Sequence, residues 1–252
     1  MRGVRMNRLR QRRLCKFSFM SIAENLAQVR QRVTAAARRA GRQPEEIALM
    51  AVSKTFPAER VRAAFDAGLR LFGENRVQEF AGKIDSLRDL RAEWRLIGHL
   101  QTNKSAKAVE LFDAIDSVDS LRLAQKLNGF ALQLGKKIPV LIEINVGGEE
   151  AKSGVAPDSR QLEDILSAAQ GLEHLEVRGL MTVPPFGDAS QEARPYFRKL
   201  RELRDQIAAR RLPAVDMHML SMGMSHDFEV AIEEGSTCVR LGTAIFGERP
   251  IG

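Results

Sequence analysis

A closed barrel of eight parallel strands, each followed by a helix, is the fold this sequence predicts. Three observations predict it. Short apolar runs alternate with helix-patterned segments eight times, the connectors between them are short, and no composition shift or long Gly/Ser linker divides the 252 residues. Alternating strands and helices imply a parallel sheet, and eight such units close into a (β/α)8 (TIM) barrel, for which ~250 residues is an ordinary length. A doubly wound open sheet is the alternative. It would advertise a Gly-rich first turn, and "SKTFPAE" has no G-x-G.

The elements follow in order. An extra N-terminal helix over 21–40 opens with Ser21 and Glu24 as an S-x-x-E capping box, and Ile22, Leu26, Val29 and Val33 follow at helical spacing. "IALMAVSK" (47–54) reads as the first strand, a continuous apolar run of the kind a strand covered on both faces shows. Pro57 then suits a helix start, and Gly68 closes that helix. "LRLFGEN" (69–75) leads into a helix through Leu87. "WRLIGHL" (94–100) precedes a helix near 103–111, and "DAIDSV" (113–118) precedes one at 120–134. "IPVLIEINV" (138–146) runs through Gly147 and Gly148 to a helix near 158–170. "LEVRGLMTV" (175–183) comes before a helix at 190–210, "VDMHMLSM" (215–222) before one near 225–234, and "TCVRLG" (237–242) completes the eight strands.

Composition excludes several function classes. The chain is 44% hydrophobic, which suits a globular core, and its longest apolar runs, 48–52 and 138–142, are far too short to span a bilayer. Cys15 and Cys238 cannot make a disulfide framework or a zinc site by themselves, which fits a reducing, cytoplasmic setting. The net charge of +7 is confined to one place. Residues 1–19 carry Arg2, Arg5, Arg8, Arg10, Arg12, Arg13 and Lys16 and no acidic residue, leaving 32 basic against 32 acidic residues in the rest. A neutral body removes the main support for nucleic-acid binding. The basic tail reads as translated upstream sequence with Met20 the native start, as an organelle-targeting peptide, or as an arm attracted to RNA or membrane. The first reading is preferred, because ordered structure begins where a start codon is available, and targeting is the runner-up.

In such a barrel, chemistry collects at the C-terminal strand ends. Those ends present Lys54, Glu74 and Asn75, His99 and Gln101, Asp116, Asn145, Met181 and Thr182, Ser221 and Ser225, and Arg240 with Gly242 and Thr243. Lys54 reads either as a surface lysine with a wet ammonium or as an amine held in a cleft to form an imine with a carbonyl ligand. "LSMGMS" (220–225) and "LGTAIFG" (241–247) follow the seventh and eighth strands, where barrels often hold a phosphate. Gly242 lets backbone amides approach an anion, and Ser221 and Thr243 add hydroxyl donors. Arg240 supplies a cation that cannot lose its proton. An imine-forming amine, a phosphate cradle and a fixed cation match the parts of pyridoxal 5′-phosphate (PLP). Lys54 would take the aldehyde, the two loops the phosphate, and Arg240 the pyridine nitrogen.

"AVSKT" (51–55), "FGENRVQE" (72–79), "IGHLQTNK" (97–104), "LSMGMSHDFEVAI" (220–232) and "GSTCVRLGTAIFG" (235–247) closely resemble the YggS/PROSC family of pyridoxal-phosphate homeostasis proteins, from about Ile22 to Arg249. The resemblance implies a barrel similar to the N-terminal domain of alanine racemase. It implies Lys54 as the Schiff-base residue, Arg240 facing the ring nitrogen, Ser221, Gly242 and Thr243 at the phosphate, and Asn75 lining the ring. Position 76 is Arg where many members have Tyr, and position 95 is Arg where His is frequent. His99 is open between a structural and a catalytic role.

Two function classes compete. One is a PLP carrier that buffers the cofactor and hands it to apo PLP-dependent enzymes; the other is a weak amino-acid racemase or decarboxylase. A two-base racemase needs a second acid/base opposite the lysine, which in alanine racemase is a tyrosine from a further C-terminal domain. The sole tyrosine here, Tyr196, falls in the helix "ARPYFRKLREL" and is expected on the outside of the barrel. A ring nitrogen facing Arg240 is a poor candidate for protonation, which weakens the ring as an electron sink. The carrier is the preferred reading. A cytoplasmic monomer with no nucleic-acid or membrane partner is expected.

Overall fold

The protein is described here from a computed structural model covering residues 21–149, 152–185, 187 and 189–248. The basic segment 1–19 and Met20 lie outside the described residues. The first helix, α1 (Ile22–Arg39), is capped as its sequence predicts: the Ser21 hydroxyl accepts from Glu24 N at 3.2 Å, and the Glu24 carboxylate accepts from Ser21 N at 2.7 Å. Eight strands follow, β1 (Ala48–Val52), β2 (Leu71–Glu74), β3 (Glu93–Leu96), β4 (Ala114–Val118), β5 (Ile138–Glu143), β6 (Leu175–Met181), β7 (Val215–Ser221) and β8 (Cys238–Leu241). All pair in parallel in sequence order, and β1 closes the barrel by pairing with β8. The connecting helices are α2 (Ala58–Asp66), α3 (Val77–Lys83), α4 (Ser105–Leu111), α5 (Leu121–Gln133), α6 (Arg160–Ala168), α7 (Arg194–Ala209) and α8 (Phe228–Glu233). One helical turn, α9 (Thr243–Phe246), follows β8. The predicted (β/α)8 architecture with an extra N-terminal helix is the observed one, and α1 packs against α8 and α9.

Some helices are shorter than their sequence pattern. The segment 190–193 is a 3-10 turn, and α7 begins where Pro195 sits in the first helical turn, the position a residue without an N–H tolerates. The helix expected from 225 begins at Phe228, because the Asp227 carboxylate accepts from Met224 N at 2.6 Å and folds 224–227 into a turn.

Strand alternation separates two buried layers. Along β5, Ile138, Val140 and Ile142 join the apolar layer between sheet and helices, whereas Leu141 and Glu143 face the barrel axis. By the same parity Met50, Arg95, Asp116, Met181, Ser221, Cys238 and Arg240 point inward. The outer layer is oily and partly aromatic: Phe80 of α3 packs on Trp94 and Phe112 with ring centroids 4.9 and 4.8 Å apart. Such pairs contribute ~0.5–1.5 kcal/mol each beyond area burial and fix α3 on the sheet. The inner layer is charged. Arg95 reaches across to Asp116 with contacts of 2.6–3.1 Å, and both are almost fully buried. Burial would push the Arg95 guanidinium down, but the Asp116 charge and hydrogen bonds outweigh it and hold it above its usual value. The charged interior raises the question of what the upper part of the barrel is built to hold.

Candidate functional site

Lys54 follows β1 directly, Asn75 follows β2, and Gly242 and Thr243 follow β8. Together with Arg240 they line a cavity of about 520 Å³ at the C-terminal mouth, with Val52, Ile97, Val183, Gly187, Met224, Ser225 and His226 completing the wall. That volume falls in the ~300–1,000 Å³ range of small-molecule sites. A larger cavity of about 740 Å³ lies at the opposite rim, among residues before and at the starts of β6 and β7. It holds none of the predicted site residues.

Arg240 is 3% exposed. Its guanidinium donates to Ser221 Oγ at 2.9 Å and to the Thr182 carbonyl at 2.7 Å, so the two ends of the fork are anchored to β7 and to the residue after β6. Burial pushes it down from its usual value, opposed by the charges of Cys238, Asp116, Glu143 and Asp227. An arginine starts so high that it stays charged. Ser221 is wholly buried and accepts from Arg240, so it serves the cation from behind and presents no surface to the cavity. The hydroxyls that line the cavity belong to Ser225 and Thr243. Ser225 Oγ also accepts from Ala244 N at 3.3 Å, tying the loop after β7 to the turn after β8.

Gly242 precedes the single turn α9, whose first amides have no acceptor within the helix. A Cβ there would meet Val52 O at 3.6 Å, an ordinary contact, so what the glycine supplies is access from the cavity side. Gly98 has a stricter role. A Cβ at 98 would sit 2.3 Å from the Asn75 carbonyl oxygen, so only glycine lets the turn after β3 press against Asn75. Asn75 Oδ1 is buried with no hydrogen-bond partner in the protein. A buried polar atom without a partner calls for an explanation, and a ligand in the adjoining cavity would supply one.

The far side of the mouth carries groups that the motifs do not single out. Glu143 ends β5, is 8% exposed, and leaves Oε2 unpartnered. Burial, reinforced by Asp119, pushes its carboxyl up to about 7 against the pull of Arg240. His99 is exposed and its Nδ1 lies 3.1 Å from Asp119, so it belongs to the rim. Asp227, beside His226, is raised by burial, while the Met224 amide, His226 and Arg240 oppose the shift. Asn145 is engaged in its own turn, accepting from Gly148 N at 3.0 Å and donating to Glu149 O at 2.9 Å. Arg76 is exposed at the start of α3, and Tyr196 packs half-buried against the outer layer. Glu143 was legible only as an acidic residue directly after "IPVLI", with nothing in the pattern to show that it faces the barrel axis. His226 was legible only as the neighbour of a predicted phosphate loop.

These features fit PLP. An amine stands at one edge, a fixed cation at the floor, an orphan amide oxygen along one wall, and two hydroxyls with helix-start amides at the other edge. Among the described residues no cluster of three or more His, Cys, Asp or Glu could hold a metal ion. No helix among them is long and apolar enough to cross a membrane.

Comparison with known proteins agrees with this fold. The family described as alanine racemase, N-terminal domain, matches residues 24–250. A pyridoxal phosphate homeostasis protein of Aquifex aeolicus is 47% identical over 230 residues, covering 91% of this chain and 99% of its own. PipY of Synechococcus elongatus, solved with PLP bound, aligns at a TM-score of 0.78 and 38% identity, over 90% of this chain and 100% of that one. Alanine racemase of Clostridium difficile shares the fold at a TM-score of 0.67 and 18% identity, with 57% of its chain covered and 91% of this one. The chain therefore belongs to the pyridoxal phosphate homeostasis proteins, a family built on the alanine racemase N-terminal domain.

Proposed function

We propose that this protein binds PLP at the barrel mouth, covalently through Lys54, and serves PLP homeostasis by holding the cofactor and delivering it to apo PLP-dependent enzymes. The observation that carries the reading is one cavity joining Lys54, Asn75, Arg240, Gly242 and Thr243, residues that come from three separate strand ends. A relative that holds PLP on the same fold supports it. Bound PLP supplies an aldehyde carbon to which an amine can bond with loss of water, and a ring able to spread negative charge. Lys54 is the amine at the mouth. Ser225, Thr243 and the amides at the start of α9 take the phosphate, Ser221 holds Arg240 in place, and Asn75 meets the ring.

Arg240 sets the limit on chemistry. A guanidinium anchored to Ser221 and Thr182 can donate a hydrogen bond to the ring nitrogen but does not transfer its proton, so the ring stays a weak electron sink. Binding and release are favoured over turnover. A reducing, cytoplasmic compartment suits a fold whose Cys238 is a free, buried thiol.

The test is transfer. Protein loaded with PLP and freed of excess should restore activity to an apo PLP enzyme, while Lys54→Ala treated alike should deliver little. Rapid turnover of a free amino acid, near the ~10 per second of a median enzyme, would overturn the carrier reading.

A further inference from the structure

Lys54 sits in a turn that its own backbone resists. Thr55, the next residue, has a φ of 66°, a left-handed conformation that a β-branched side chain avoids. Strain of this kind persists only where the surroundings over-determine it. The surroundings here are charged. Ser53 Oγ donates to Glu74 Oε1 at 2.5 Å, and Thr55 N donates to Glu79 Oε1. Lys83, at the end of α3, donates to the Ser53 carbonyl at 2.9 Å and to the Phe56 carbonyl at 3.4 Å. The same ammonium lies 2.7 Å from Glu74 and 3.5 Å from Glu79. One cation thus touches two carbonyls that bracket Lys54 and both carboxylates that hold its flanking residues.

The location of this network is hard to account for by stability alone. On β2, Phe72 and Glu74 share the outward parity, so Glu74 places a carboxylate in the oily layer between sheet and helices. It is fully buried, and its second oxygen has no partner. A well-packed apolar pair at such a site is often as stable as a buried ion pair, or more so. What an apolar pair could not do is grip backbone carbonyls and an amide on either side of Lys54.

We infer that Lys83, acting through Glu74 and Glu79, is the positioning residue that holds the Lys54 turn in the geometry needed for covalent capture of an aldehyde ligand. The inference rests on the proposed role of Lys54. Without the ammonium, Glu74 and Glu79 repel each other, the Ser53 and Phe56 carbonyls lose their donor, and the turn at Thr55 relaxes. The phosphate edge of the cavity, formed after β7 and β8, is untouched.

The test therefore compares PLP with pyridoxine 5′-phosphate, which has the ring and phosphate but no aldehyde. In Lys83→Met the PLP affinity should fall at least about tenfold, a difference of ~1.4 kcal/mol, while pyridoxine 5′-phosphate binds as it does to wild type. Lys83→Arg, which keeps the charge and the donors, should recover most of the loss. Hydrogen exchange at the Thr55 amide of the ligand-free protein should quicken in Lys83→Met and return toward wild type in Lys83→Arg. Equal weakening of both ligands, or unchanged PLP binding with Thr55 still protected, would overturn the inference. If Lys83→Met does not fold, Glu79→Ala, which has no side-chain acceptor for the Thr55 amide, removes only the Thr55 side of the network. It should show the same ligand selectivity and faster Thr55 exchange, and their absence would count equally against the inference. Wild-type protein with no preference for the aldehyde would instead sink the functional reading, and the Thr55 exchange would then decide the positioning role alone.

Discussion

Two hydroxyls at strand ends do different work because they face different partners. Thr243 lines the cavity beside the first amides of α9, whereas Ser221 is buried and accepts from Arg240. Thr243→Ala should therefore weaken PLP and leave unphosphorylated pyridoxal nearly unaffected. The lost charge-assisted hydrogen bond corresponds to roughly 1.5–3 kcal/mol. Ser221→Ala should weaken both ligands alike, since it frees one arm of Arg240 and touches no phosphate. Calorimetric titration of both variants with both ligands checks this. Selective loss of PLP in Ser221→Ala would show that the serine reaches the phosphate directly.

Between elements, the charged interior is the feature most open to test. Arg95 of β3 and Asp116 of β4 are buried together at 2.6 Å on the barrel axis. Arg95→Met leaves Asp116 as an uncompensated buried carboxylate, a change that commonly costs ~3–5 kcal/mol. Urea denaturation should show that loss, and Arg95→Met combined with Asp116→Leu should regain most of it. The elements themselves were legible because each strand is a short apolar run closed by turn residues, and because the Ser21–Glu24 box marks the start of α1. Their ends were less legible: the Asp227 turn delays α8 by a contact to Met224 that no periodicity announces. The site divides in the same way. Lys54, Asn75, Arg240, Gly242 and Thr243 sit at strand ends where barrel logic looks for them. Lys83, by contrast, lies at the far end of α3 and reaches Lys54's neighbours only through folding. That Arg95 and Glu143 face the barrel axis was hidden, because a strand buried on both faces does not reveal from its pattern which face is the axis.

At the scale of the whole molecule, buried carboxyls set the pH dependence of stability. Glu143 has its carboxyl raised by burial from 4.5 to about 7. The folded protein then holds a proton that the unfolded chain has lost, so its contribution is full below about 4.5 and disappears as pH rises through about 7. That interval corresponds to ~3 kcal/mol, and Glu74 is raised in the same direction by burial. The ligand-free protein should lose stability between pH 5 and 8, and Glu143→Gln should flatten that slope by ~3 kcal/mol in denaturation experiments. An unchanged slope would show that Glu143 is ionised throughout. The central claim, that Lys54 is the covalent anchor of PLP at the barrel mouth, is tested most directly by borohydride reduction of the loaded protein followed by peptide mass mapping. A pyridoxyl group on Lys54, absent from Lys54→Ala, is the predicted result; a group found mainly on another lysine would contradict it.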